Sequence, residues 1–146
     1  MKTVGDKLSN FNVVGIKPGA LQTDGTAFED LNENSFPGKW KVIVFYPKDF
    51  TFVCPTEIVA YDKLVNDFND RDAVLMTGST DNEFSKLAWR LHHEDLKRTN
   101  SWSFADTARE LSSDLGILTK QGPALRATFI IDPENIIQHV SVNNLD

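Results

Sequence analysis

Cys54 is the one cysteine among 146 residues and sits in the run PKDFTFVCPTEI. A thiol reacts as its thiolate, and a free thiol with a pKa near ~8.5 is mostly protonated at neutral pH. The surroundings of residue 54 therefore decide whether it does chemistry. Pro55 marks the first turn of a helix, because its ring presets φ and its missing N–H is not needed there. A sulfur at that start meets unpaired backbone N–H groups and the positive end of the helix dipole, which favour the thiolate. On composition alone, a lone Cys is equally well a buried, inert filler. Its place at a strand, loop and helix junction weighs toward chemistry, since sites in open α/β sheets gather at the carboxyl ends of strands. His92, His93 and His139 share no metal-ligand spacing with a cysteine, and the glycines form no phosphate cradle. Neither a metal centre nor a nucleotide site is expected, and no cofactor is assigned.

Several elements must position that thiol. The run WKVIVFY over 40–46 is almost wholly apolar and β-branched or aromatic, as a strand buried on both faces should be. Ile58, Tyr61, Leu64, Val65 and Phe68 recur at helical spacing and predict one helix from Pro55 to Asp70. A second strand is expected over 73–79, then a second amphipathic helix marked by Phe84, Leu87, Ala88 and Leu91 and ending near HHEDLKRTN. This alternation implies a parallel sheet. A short helix over 107–115 should stop at Gly116, and LRATFIID and IIQHVSV should form an antiparallel hairpin around the turn Asp132-Pro133-Glu134-Asn135. Residues 10–38 are loop-rich with room for one or two short strands. The order resembles a thioredoxin-like α/β fold, a central mixed sheet flanked by helices, in one domain over 1–146. Such a sheet normally closes with one more helix, and its absence leads us to expect a truncated or processed chain with one face of the hairpin partly uncovered.

Fifteen Lys and Arg against 21 Asp and Glu give a net charge of -6, which argues against nucleic acid and anionic membrane partners. No apolar run approaches the ~20 residues of a membrane span, and the polar opening MKTVGDKLSN does not read as a signal peptide. A single Cys suits a reducing compartment, so a cytoplasmic location is expected. Lys48 and Asp49 carry charge beside the nucleophile loop and could tune it, but exposed loop charges usually have no measurable effect. Trp89 reads as a core aromatic of the second helix.

The segment FYPKDFTFVCPTEI resembles the active-site segment of the peroxiredoxins, most closely their typical two-cysteine, alkyl hydroperoxide reductase-like branch. The pattern P-x-x-x-T-x-x-C falls on Pro47, Thr51 and Cys54, and LAWR, FADTARELSSDLGIL and ALRATFIIDPENIIQHVSV follow in the same order. The resemblance implies a thiol peroxidase in which Cys54 attacks a hydroperoxide and becomes a sulfenic acid. Thr51 would offer its hydroxyl to the peroxide, Arg126 would hold thiolate and peroxide together, and Pro47 would shield the sulfur from water. Glu57, one helical turn beyond Cys54, would help hold the arginine. Without the motif, Thr51 reads as a β-branched stiffener, Arg126 as a solvated strand end and Pro47 as a strand terminator.

The same resemblance implies an external reductant, either thioredoxin or a flavin-dependent disulfide reductase. In that branch the resolving cysteine lies in a C-terminal tail, which this sequence does not contain. Either the chain is a fragment or an external thiol resolves Cys54, and a non-catalytic scaffold, holdase or peroxide-sensing role is the alternative. The Gly-Gly-Leu-Gly insertion of over-oxidation-sensitive members is not found between His92 and Phe104, which implies a robust type. The last strand should lie at a sheet edge and pair with its copy in a homodimer, and relatives join five such dimers into a ring.

Overall fold

A computed structural model describes residues 1–19, 23, 25–49, 54–93, 96 and 99–144, apart from the side chains of 54–57, 65, 66 and 69. Seven strands form one sheet in the order β2-β1-β5-β4-β3-β6-β7. They are β1 (Asn12–Ile16), β2 (Phe28–Asn32), β3 (Trp40–Phe45), β4 (Ala73–Ser79), β5 (Trp102–Ala105), β6 (Arg126–Ile131) and β7 (Ile137–Asn143). Pairs β3–β4 and β4–β5 are parallel and the rest antiparallel, so the sheet is mixed. The helices are α1 (Cys54–Asp62), α2 (Val65–Asp70), α3 (Glu83–His92) and α4 (Glu110–Leu115).

Strand alternation sorts the two layers. Val42 and Val44 pack with Ala73 and Leu75 under Tyr61 of α1 and Phe68 of α2, whereas Ile43 and Phe45 face the larger core with Leu111 and Leu115 of α4. In that larger core Phe45 meets Phe104 and Phe129 edge-on, with centroids 5.2 and 6.2 Å apart. Each such pair adds about 0.5–1.5 kcal/mol beyond its buried area.

The structure departs from the expected elements in three places, and residues 10–38 hold two short strands as expected. The helix expected over 55–70 is broken after Asp62, where the Leu64 N–H reaches back only three residues to the Tyr61 carbonyl. Leu64, counted in the apolar stripe, is 45 % exposed, while Tyr61 and Phe68 stay on the sheet. Strand β5 was not foreseen, because WSFA is only four residues long and lies in a serine-rich stretch. The segment 10–38 supplies both β1 and β2.

The third departure is the buried face of α3. Of the expected face 84/87/88/91, Leu87 is buried with Ile16 and Ala27 and Leu91 packs against them, but Lys86, Trp89 and Arg90 are buried as well. Phe84 is 67 % exposed and touches Phe28 edge-on at 5.5 Å. Asn82 fixes the start of this helix by accepting the Ser85 N–H at 2.7 Å.

Other expectations match. Gly116 caps α4 at φ 77, and the hairpin turn closes through the Asn135 N–H to the Asp132 carbonyl at 2.9 Å. Strand β7 is an edge strand.

Candidate active site

Helix α1 starts at the carboxyl end of β3, and Cys54 is its first residue. The backbone thus places residue 54 in the first turn, where unpaired N–H groups point out of the helix. Three contacts hold the helix in place. Ile58, 7 % exposed, packs among Tyr46, Trp89 and Leu96. The Tyr61 hydroxyl lies 3.2 Å from Thr128 Oγ1 on β6. At the far end, the Asp62 carboxylate accepts the N–H groups of Asn100 at 2.7 Å and Ser101 at 3.0 Å.

Arg126 opens β6, opposite Asn143 of β7 and one residue before the Ala127–Phe45 pair. Alternation along β6 puts Arg126, Thr128 and Ile130 on the α1 side of the sheet. Arg126 is half-buried and lines an open groove of about 250 Å³ together with Val44, Tyr61 and Ser141. Pro47 is half-buried and follows Tyr46, whose N–H still donates to the Gly78 carbonyl at 2.9 Å. Lacking an N–H, Pro47 ends that ladder and releases the chain into the loop.

Pro47 and Arg126 thus stand at the carboxyl end of β3, and Cys54 opens the helix that follows it in sequence. Thr51 lies outside the described residues, as do the side chains of Cys54 and Glu57. Among the described residues no group of three or more His, Cys, Asp or Glu is arranged to hold a metal. No helix among them is long and apolar enough to cross a membrane. His92 closes α3 and His93 caps it.

Asp49 departs from the sequence expectation. It is 5 % exposed, not a solvated loop charge, and pairs with the buried Lys86 ammonium at 3.1 Å. Lys86 also donates to Tyr46 Oη at 3.1 Å and to Ser79 Oγ, and the Tyr46 hydroxyl donates to Asp49. The Asp49 N–H donates to the Asp81 carboxylate at 2.7 Å, and that carboxylate also accepts the Ser79 hydroxyl at 2.8 Å. Burial pushes the Asp49 carboxyl above its ordinary range, against the pull of the Lys86 charge. Burial, and then the Asp49 charge, raise the Tyr46 phenol well above its ordinary value.

Arg90, one turn beyond Lys86, is also buried. It donates to the carbonyls of Lys17 at 3.1 Å and Thr99 at 3.2 Å. Its Nε finds no partner among the described residues, and desolvation lowers the guanidinium pKa to about 10. Sequence reasoning missed this polar interior because Lys86 and Arg90 sat between the apolar positions chosen for the buried stripe. Their i, i+4 spacing on the Trp89 side was the signal available.

The chain is similar to known proteins in sequence and in fold. Residues 4–140 match the AhpC/TSA family. The chain is 45 % identical over 145 residues to alkyl hydroperoxide reductase C of Mycolicibacterium smegmatis, covering 96 % of this chain and 74 % of that protein. It is 40 % identical over 146 residues to the mitochondrial thioredoxin-dependent peroxide reductase of Rattus norvegicus, covering 94 % and 57 % respectively. The solved structure of Mycobacterium tuberculosis AhpC superposes with a TM-score of 0.92 at 42 % identity, covering 98 % of this chain and 83 % of that one. The reduced 2-Cys peroxiredoxin of Plasmodium vivax gives 0.86 at 32 % identity, covering 99 % and 74 %. A thioredoxin-like α/β fold with a mixed sheet is thereby established.

The chain belongs to the AhpC/TSA family, the peroxiredoxins, and is an enzyme, a thiol peroxidase working through a peroxidatic cysteine. A hydroperoxide substrate, an external thiol reductant and an oligomeric state go with that membership.

Proposed function

We propose that Cys54 is the peroxidatic nucleophile and that Pro47, Thr51 and Arg126 complete its site, with Glu57 in support. The observation that carries this reading is that Cys54 opens α1 at the carboxyl end of β3, beside the strand end that bears Arg126. The thiolate attacks one peroxide oxygen, the S–O bond forms as the O–O bond breaks, and the departing oxygen leaves as hydroxide or alkoxide and takes a proton. Donors aimed at that oxygen lower the barrier, because negative charge builds there only in the transition state. The Arg126 fork supplies such donors. Thr51, three residues before Cys54, supplies a hydroxyl.

The sulfenic acid then condenses with a thiol, releasing water and leaving a disulfide that a further thiol reduces. Cys54 is the one thiol in these 146 residues, so the resolving thiol comes from outside them. The reductant in this reading is thioredoxin or a flavin-dependent disulfide reductase, and the thioredoxin-dependent peroxide reductase among the relatives supports the first. The single sheet running from β2 to β7 supports one domain over 1–146. The exposed edge of β7 supports a two-fold dimer, and five such dimers would make a ring. The lone thiol supports a cytoplasmic setting.

Stopped-flow tryptophan fluorescence on mixing with hydrogen peroxide or a small organic hydroperoxide tests the reading. A second-order rate orders of magnitude above that of free cysteine is expected. A rate no faster than that of free cysteine removes it.

A further inference from the structure

The ion pair between Lys86 and Asp49 is poorly explained as a source of stability. Both side chains are 1 % exposed. Charges taken from water into a protein interior lose about as much by desolvation as they gain from each other, and apolar residues of the same shape commonly do as well. Buried ionic groups are better suited to specifying one geometry, because a displaced member is left unpaired. The location of this pair suggests which geometry that is.

The cluster joins β4 and α3 to the segment that follows β3. Tyr46 follows β3, Ser79 ends β4, Lys86 lies on α3, and Asp49 stands in the segment between β3 and α1. Asp49 is gripped twice, by Lys86 and Tyr46 at its carboxylate and by Asp81 at its backbone N–H. Ser85 adds a weaker contact to the same carboxylate at 3.4 Å. Two residues separate Asp49 from Thr51 in an extended chain by at most about 7 Å, and five separate it from Cys54 by at most about 17 Å. Asp49 and the start of α1 are thus two ends of one short stretch of chain, and fixing Asp49 limits the reach of what lies between them.

We propose that Lys86 is a positioning residue for the peroxide reaction, its buried ammonium holding Asp49 at the entry to the stretch of sequence that carries Thr51 and Cys54. This rests on the reading of Cys54 as nucleophile. Lys86 touches no reacting atom in this role. It acts through Asp49, and its effect falls on the step that needs a donor beside the sulfur. Attack on an alkylating agent needs the thiolate alone, so the two reactions separate position from ionisation.

The test measures two rates in the parent chain and in Lys86→Met, Asp49→Asn and Lys86→Arg. One is the second-order rate with hydrogen peroxide. The other is alkylation by iodoacetamide across pH, which gives a thiolate midpoint and a plateau. Misplacing a reacting group by about an ångström costs up to ~100-fold. The ratio of peroxide rate to plateau alkylation rate should therefore fall at least about tenfold in Lys86→Met and Asp49→Asn, with the midpoint unmoved. Part of the ratio should return in Lys86→Arg.

An unchanged ratio overturns the proposal, whether both rates fall together or neither does. A shifted midpoint accounting for the loss overturns it as well, in favour of a field effect on the thiol. If Lys86→Met does not fold, Tyr46→Phe removes one hydroxyl of the cluster at constant shape, and the same ratio decides. A parent chain that reacts no faster than free cysteine instead defeats the nucleophile assignment beneath the proposal.

Discussion

Gly78 of β4 lies between two aromatic residues, in register with Phe45 on one side and Phe104 on the other. A Cβ added there would stand 2.5 Å from Cδ2 and Cζ of Phe104, closer than carbon atoms approach without something shifting. Phe104 has nowhere to go. It is 0 % exposed and set edge-on to Phe45, which is in turn set against Phe129. Overpacking a closed core typically costs about 1–3 kcal/mol, and a rigid ring as the clashing partner places Gly78→Ala toward the upper end. With an unfolding entropy of about 2.1 cal/mol/K per residue, a chain of 146 residues loses roughly 3 °C in Tm per kcal/mol. A thermal melt of Gly78→Ala should therefore fall by about 3–10 °C. The double variant Gly78→Ala, Phe104→Leu should lose less than the sum of the singles, by about 1 kcal/mol or more, because the smaller side chain vacates the space the new methyl needs. A melt within about 1 °C of the parent, or strict additivity in the cycle, would refute the packing argument.

Two further outcomes are expected. Arg126→Met should slow the peroxide reaction by about 10²–10³-fold in stopped flow, the usual cost of a lost transition-state donor, with Tm nearly unchanged because the side chain is only half-buried. Arg126→Lys should fall between, keeping the charge but losing the fork. The Asp132 carboxylate accepts the Ile136 N–H at 3.0 Å, the Gln138 side chain at 2.9 Å and the Glu134 N–H at 2.9 Å, and these bonds, Ile136 first, hold its pKa below the ordinary value. A lowered folded pKa gives stability that is present above about pH 4 and lost as pH falls through the folded value. Urea melts should therefore show Asp132→Asn less stable than the parent at pH 6, with the gap narrowing toward pH 2. A gap independent of pH would contradict this.

The strongest sequence signals were those written locally. The run WKVIVFY could only be a buried strand, Gly116 could end α4 because it tolerates the φ of 77 found there, and Asp132 to Asn135 carried the chemistry of a tight turn. Cys54 was legible because a proline beside it announced a helix start. Features decided by tertiary packing were not legible. Nothing local predicts that α3 turns Lys86 and Arg90 inward, since hydrophobic periodicity assigns charges to the solvent side and cannot see Asp49 approaching from another segment. Exposure of Phe84 and the four-residue β5 have the same origin, as each depends on neighbours far away in the chain. The family segment pointed to Thr51 and Arg126 more strongly than their types or spacing did, because a threonine in a loop or an arginine at a strand end is usually structural.

If the Cys54 sulfur breaks the peroxide bond, it passes through a sulfenic acid that dimedone traps. One equivalent of hydrogen peroxide added in the presence of dimedone, followed by peptide mapping with mass detection, reads that event at the residue. The account predicts near-complete adduct on the peptide that carries Cys54, formed as fast as the fluorescence changes, and none in Cys54→Ser. A free thiol at residue 54 while peroxide persists would contradict it.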